Sequence, residues 1–224
     1  MIDVKKIQDV LHSLEGISLN KEFFRLVLES DKAEILEIWP SQTHGWRFNP
    51  AGEFGALYLS ESPSACAKEV GRHIPDVSAF KDRPRVLGTI GVYLQKCLDL
   101  TDIAVLSALG VTEDSVLEDD SAVAITVARE ARRAGFEGVL YHSVVNPNFV
   151  NLALFKDCLL PRSSYQCIST ENVSFDRLLS WVDGFAFLDV LNFDAFNEAN
   201  QLNEDLKLHR ERFGEKPDVA ITDI

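Results

Sequence analysis

Through the first part of the chain, apolar residues return at close to helical spacing. Ile7, Val10, Leu11 and Leu14, then Phe24, Leu26, Val27 and Ile35, predict a helical lead-in over residues 1–37. Residues 56–60 read as a strand. Ser62-Pro63 then supplies an N-cap followed by proline at the first helical position, so Glu69 falls on a short helix of about two turns. A second strand is expected over residues 85–92 or slightly beyond. Residues 97–102 alternate apolar and acidic residues into a polar turn, and a loop-rich region follows. Residues 121–134 carry the clearest helical pattern, with Ser121 to cap it, Arg129, Arg132 and Arg133 towards its C-terminus, and Gly135 to close it. Residues 138–143 predict a strand, Asn146-Pro147-Asn148 a turn, and residues 151–155 a buried strand. Past residue 165 apolar and acidic residues mix through 175–202, and a charged run occupies 204–216. This reads as a helical C-terminal extension with a frayed end.

Length and composition narrow the class. The 224 residues suffice for one main domain with terminal additions, and 46% hydrophobic with 25% charged residues is ordinary for a globular protein. No apolar run approaches the roughly 20 residues of a membrane helix, and Lys5 and Lys6 are not followed by the apolar block of a signal peptide. A net charge of −13 argues against a nucleic-acid binder, since phosphate neutralisation needs clustered cations; a basic or uncharged protein partner fits better. Cys66, Cys97, Cys158 and Cys167 lack zinc-ligand pairing and read as small buried side chains of a cytoplasmic protein. The acidic run at 113–120 has no metal-ligand spacing and reads as solvated surface, so no metal is expected.

Candidate chemistry concentrates in residues 46–70. Arg47, Tyr58 and Glu69 fall eleven residues apart, so a strand and a short helix would bring a cation, an aromatic ring and a carboxylate to one cleft, a set suited to an anionic ligand bearing a ring. A guanidinium forms paired, charge-assisted hydrogen bonds with phosphate oxygens that a lysine does not reproduce. Tyr58 alternates with Leu57 and Leu59 and would face the other way. Ser143 lacks the glycine-flanked elbow of serine hydrolases, which excludes a covalent serine mechanism of that type. His142, its neighbour on the strand, points to the opposite face and reads as packed or exposed rather than catalytic.

Three blocks in order carry a family resemblance: residues 46–70, Leu98-Asp99-Leu100-Thr101, and Ala134-Gly135-Phe136-Glu137-Gly138 through Ser143 to Asn151-Leu-Ala-Leu-Phe155. They resemble the RES family of bacterial proteins, commonly toxins paired with an antitoxin, with the similarity covering about residues 38–160. The resemblance implies an α+β fold related to ADP-ribosyltransferases, a mixed sheet core with flanking helices, here with helical terminal extensions. The catalytic domain would occupy 38–164, between the lead-in at 1–37 and an acidic extension at 165–224 packed on the core. It further implies NAD as substrate and cleavage of the bond between nicotinamide and ribose, with water or inorganic phosphate as acceptor. By the same resemblance Arg47, Tyr58, Glu69 and Ser143 are the site residues, and Asn151 helps shape the cleft. A cognate antitoxin is the expected partner. Trp46-Arg47-Phe48 stands where Gly-Arg-Trp is commoner, and Ile38-Trp39-Pro40 where many members carry a further arginine. Two other readings go with the pattern: transfer of ADP-ribose to a protein or small molecule, and a catalytically silent interaction module using the acidic C-terminal extension.

Overall fold

The computed structural model describes residues 2–72, 81 and 83–182. It is a mixed α+β structure. Helices are α1 (Val4–Ser13), α2 (Trp39–His44), α3 (Pro63–Arg72), α4 (Ile103–Leu109), α5 (Glu113–Leu117), α6 (Ala122–Arg133) and α7 (Phe175–Val182). Strands are β1 (Ile17–Leu28), β2 (Leu57–Ser60), β3 (Arg85–Asp99), β4 (Gly138–His142), β5 (Val150–Leu154) and β6 (Ser164–Val173). The sheet runs β1-β2-β5-β4-β3-β6, and β1 also pairs with β3, so β1, β2, β5, β4 and β3 close into a five-stranded barrel. β5 lies antiparallel to both β2 and β4, whereas β3 and β4 are parallel. Parallel neighbours need a crossover, and α4, α5 and α6 occupy it.

The chain divides into two compact units. The first comprises Met1–Phe23, Leu36–Glu61 and Ile90–Gln166. Its core sets Ile7 and Leu11 of α1 and Ala124, Val127, Ala128 and Ala131 of α6 with Val139, Tyr141, Ala153 and Phe155 of the β4–β5 segment. On α6 these recur at i, i+3, i+4 and i+7, the stripe of an amphipathic helix, and its three alanines let the helix backbone approach closely. Gly135 closes α6 at φ 78°, as its sequence position predicts. Ser121 takes the N-cap position without a side-chain cap bond; Asp120 Oδ1 instead accepts from the Ala122 N–H at 3.3 Å. The second unit comprises Phe24–Ile35, Ser62–Thr89 and residues from Cys167 onward. Its core gathers Leu26, Cys66, Ala67, Val70, Leu87, Val173, Leu178 and Val182. Ser62 caps α3, its hydroxyl accepting from the Ala65 N–H at 3.1 Å.

Four expectations change. The lead-in at 1–37 is helical only in α1; Gly16 breaks the chain and β1 follows. In β1 every residue from Arg25 to Leu28 is buried, so both faces carry apolar residues, and that run mimics helical spacing. The strand predicted at 85–92 extends to Asp99 and absorbs the apolar-acid alternation. The region expected to be loops holds α4 and α5, each with its own cap: Asp102 Oδ1 accepts from Ala104 N at 2.7 Å, and Thr112 and Ser115 form a capping box. The C-terminal extension begins as strand β6, and only Phe175–Val182 of its described part is helical; residues 183–224 lie outside the described residues. Of the four thiols, Cys66 and Cys97 are buried and Cys158 and Cys167 half-buried. Burial, with the nearby Asp99 carboxylate second, pushes the Cys97 thiol well above its usual range. Among the described residues no helix is long and apolar enough to cross a membrane.

Candidate active site

The Arg47 turn is braced from below. Trp46 and Asn49 form an isolated antiparallel bridge, exchanging N–H···O bonds of 2.8 and 3.1 Å, so Arg47 and Phe48 are its two tip residues. Gly45 enters the turn at φ 71°, and a Cβ there would meet Ala51 N at 2.5 Å, so only glycine fits. Asn49 is fully buried. Its Nδ2 donates to Ser41 O at 2.6 Å and Phe54 O at 3.0 Å, while its Oδ1 accepts from the Tyr58 hydroxyl at 2.9 Å. That hydroxyl also accepts from the Phe48 N–H at 2.9 Å, and the Trp46 ring meets Tyr58 edge-on at 5.2 Å between centroids. Phe48 in turn packs on Tyr141 of β4 at 4.5 Å.

Tyr58 therefore ties β2 to the turn that carries Arg47. Burial pushes its phenol well above the ordinary range, with the Phe48 N–H and the Arg47 charge pulling weakly the other way, so the hydroxyl stays protonated and donating. Tyr58→Phe removes one donor and one acceptor from this brace. We expect a loss of about 1–2 kcal/mol, measured by thermal or urea denaturation, because Asn49 Oδ1 and Phe48 N–H would be left without that partner.

The half-buried Arg47 reaches the end of α5. Its Nη1 donates to Glu118 O at 2.7 Å and approaches Val116 O at 3.4 Å, placing a cation at the helix C-terminus, where the carbonyl dipoles favour one. The other end of α5 is held by Glu113, whose carboxylate pairs with His142 Nδ1. His142 thus packs against the edge of the acidic 113–120 run, as a packed residue next to Ser143.

Register places the polar residues of the sheet in a row. Ser60 and Tyr141 are the Cα partners of Asn151 on its two sides, and Tyr58 is the partner of Ala153. Directly paired residues share a face, so Tyr58, Ser60, Asn151 and Tyr141 face one way while Leu57, Leu59, Leu152 and Leu140 face the other. Ser143 is buried just past β4. Its N–H donates to Phe149 O at 2.8 Å and its Oγ accepts from Val145 N at 3.2 Å, shaping the 143–149 turn. In that turn Asn146 Oδ1 accepts from the Asn148 N–H at 2.9 Å, the turn anticipated at Asn-Pro-Asn.

Arg47, Tyr58, Ser143 and Asn151 thus all belong to the first unit. Glu69 belongs to the second, on α3. It lies three and four residues beyond the buried Cys66 and Ala65, at the margin of that helix's apolar stripe, and is half-buried. The motif Leu98-Asp99-Leu100-Thr101 is a turn device: Asp99 Oδ1 accepts from Thr101 N at 2.9 Å and Thr101 Oγ1 at 2.6 Å. Among the described residues no group of three His, Cys, Asp or Glu side chains is placed to hold a metal ion.

The sequence pattern of the RES domain family matches residues 27–176, two thirds of the chain and every candidate residue. The chain belongs to the RES domain family. No curated protein sequence matches it. Among solved structures it resembles the toxin chain of the M. tuberculosis MbcT-MbcA toxin-antitoxin complex, with a TM-score of 0.67 and 21% identity, over 80% of this chain and 97% of that one. At that identity the likeness shows a shared fold. The RES domain runs beyond the resemblance read from sequence at both ends, taking in the end of β1 and all of β6. Asn49, Ser60 and Tyr141 were not among the sequence candidates. Asn49 stands before Pro50 in the Arg-x-Asn-Pro turn, which was a local signal; Ser60 and Tyr141 become visible only through strand register.

Proposed function

We propose that this RES-domain protein consumes NAD by cleaving the bond between nicotinamide and ribose, and acts in the cytoplasm as the toxin of a toxin-antitoxin pair. The family match, which includes Arg47, Tyr58, Glu69, Ser143 and Asn151 in one span, carries the reading. The fold would then be of the ADP-ribosyltransferase kind. NAD is here a substrate, and the reaction as proposed uses no metal.

The chemistry assigns the roles. The C1′–N bond breaks with its electron pair going to nicotinamide, which leaves neutral, while positive charge moves to the ribose. Glu69 supplies the carboxylate that stabilises this cation more than it stabilises NAD. Water attacks C1′ and loses a proton, giving ADP-ribose; inorganic phosphate in its place gives the phosphorylated product. Arg47 binds the pyrophosphate, its planar fork exchanging carbonyl partners for phosphate oxygens. Tyr58 holds the Arg47 turn and offers its ring face to nicotinamide or the ribose. Ser143 and Asn151 supply hydrogen bonds at the nicotinamide end.

The test is release of nicotinamide from NAD by the purified chain freed of any inhibitor, with and without phosphate, with the product weighed. Stoichiometric nicotinamide and ADP-ribose, or its phosphate, is the expected result; labelled protein without free ADP-ribose would point to transfer instead. No NAD loss and no NAD affinity would end the proposal. Arg47→Lys keeps the charge and loses the fork, so we expect KM for NAD to rise about tenfold, the equivalent of roughly 1.4 kcal/mol, with the melting temperature checked alongside.

A further inference from the structure

Helix α5 is little more than one turn, too short to hold its place by itself, so its position is set by what it touches. Val116 is 1% exposed and roots the helix in the core of the first unit. At the N-terminal end the Glu113 carboxylate pairs with His142 Nδ1. At the C-terminal end the Glu118 carbonyl accepts from Arg47 Nη1 at 2.7 Å, and the Val116 carbonyl lies 3.4 Å from the same nitrogen. The Thr112–Ser115 capping box keeps the turn intact, so a shift at Glu113 is carried to Glu118, roughly 7 Å further along the axis. His142 and Arg47 thus grip opposite ends of one short element.

We infer that α5 is an intramolecular competitor for the Arg47 guanidinium, and that Glu113 and His142 are positioning residues that set how strongly it competes. This rests on the NAD reading, which gives the pyrophosphate to Arg47. A carbonyl at a helix C-terminus offers the guanidinium the negative charge it would otherwise find on a phosphate oxygen, and each N–H so held is withdrawn from an incoming anion. An arriving pyrophosphate has to displace that bond. The Glu113–His142 pair opposes the exchange by keeping α5 from swinging away with its carbonyls. Neither residue touches the ligand; both act through α5.

Breaking the pair should therefore tighten NAD binding, the reverse of what damage to a binding site does. Glu113→Ala and His142→Ala should each lower KM for NAD by about two- to fivefold, the scale of one partly exposed ion pair. The double variant should fall no further, because both singles remove the same contact. Glu113→Gln still offers His142 a hydrogen bond and should stay near wild type, whereas a pure charge effect on an anionic ligand would make it behave like Glu113→Ala. Calorimetric titration with ADP-ribose, which carries the pyrophosphate and needs no turnover, should show the same tightening. Both residues are partly exposed, so the variants should fold, and a thermal melt alongside reports it. Unchanged KM and unchanged ADP-ribose affinity in the folded alanine variants, with wild-type protein turning over NAD, would overturn the inference alone. A raised KM would overturn it too, since α5 would then be presenting Arg47 to the ligand. Equal effects of Glu113→Gln and Glu113→Ala would replace it with a charge effect. A wild-type protein that neither consumes NAD nor binds ADP-ribose would remove the NAD reading, and this inference with it.

Discussion

Glu69→Gln should lower kcat for NAD cleavage by about 100- to 1,000-fold, the range seen when one group aimed at transition-state charge is removed. Glutamine keeps the shape and loses the charge. Since positive charge on the ribose is far greater at the transition state than in bound NAD, KM should change little while kcat and kcat/KM fall together. The substitution suits its surroundings: Glu69 is half-buried within α3, and glutamine has nearly the same helix propensity. A parallel melt separates the loss of charge from any loss of folding. Steady-state release of nicotinamide, followed beside a thermal melt, makes the measurement. Wild-type turnover in a folded Glu69→Gln protein would remove the carboxylate from the mechanism.

Glu137→Ala should destabilise the first unit by roughly 3–5 kcal/mol, enough to lower the melting temperature by about 10 °C. Glu137 is fully buried, and its carboxylate is an internal acceptor for the backbone. Oε2 accepts from Gln95 N and Lys96 N, each at 2.7 Å, and Oε1 accepts from Leu160 N at 2.9 Å. In a regular strand successive N–H groups point to opposite edges, so two of them converging on one oxygen mark a bulge in β3. Gln95 N has a second acceptor in Ser163 Oγ at 3.1 Å, but Lys96 N and Leu160 N would lose a buried partner. Glu137→Gln keeps an acceptor for the bulge and should lose clearly less. Differential scanning calorimetry on both variants checks the ranking, and an alanine variant as stable as wild type would show that the bulge is held by other means.

The fold was most legible where one face is buried and the other wet. α6, with its alanine stripe, its arginines and Gly135, and α3, with Ser62-Pro63, follow from local pattern alone. β1 did not, because a strand buried on both sides over Arg25–Leu28 loses its alternation. β6 did not for the opposite reason: only Val173 of it is buried, so it carries no apolar period. α4 and α5 had caps in plain view at Asp102 and Thr112, and for α5 the acidity of 113–120 outweighed its cap.

Ordered motif blocks put forward Arg47, Tyr58, Glu69, Ser143 and Asn151 as candidates, which no periodicity would have singled out. What holds them was hidden. The Asn49–Tyr58 bond joins a turn to a strand, and the Glu137 carboxylate serves N–H groups 41, 42 and 23 residues away along the chain. Such ties are products of the three-dimensional path, and nothing next to them in sequence records them.

The braced turn at residues 46–49 also bears on how tightly a ligand can be held. Its backbone is fixed by the Trp46–Asn49 bridge and by two side chains before any ligand arrives. The entropy of ordering that loop is lost once, when the chain folds, and does not have to be lost again at each encounter. On the proposed reading Arg47 would meet its ligand on a braced stem, and affinity there would depend on what the incoming group offers the guanidinium in exchange for the Glu118 carbonyl.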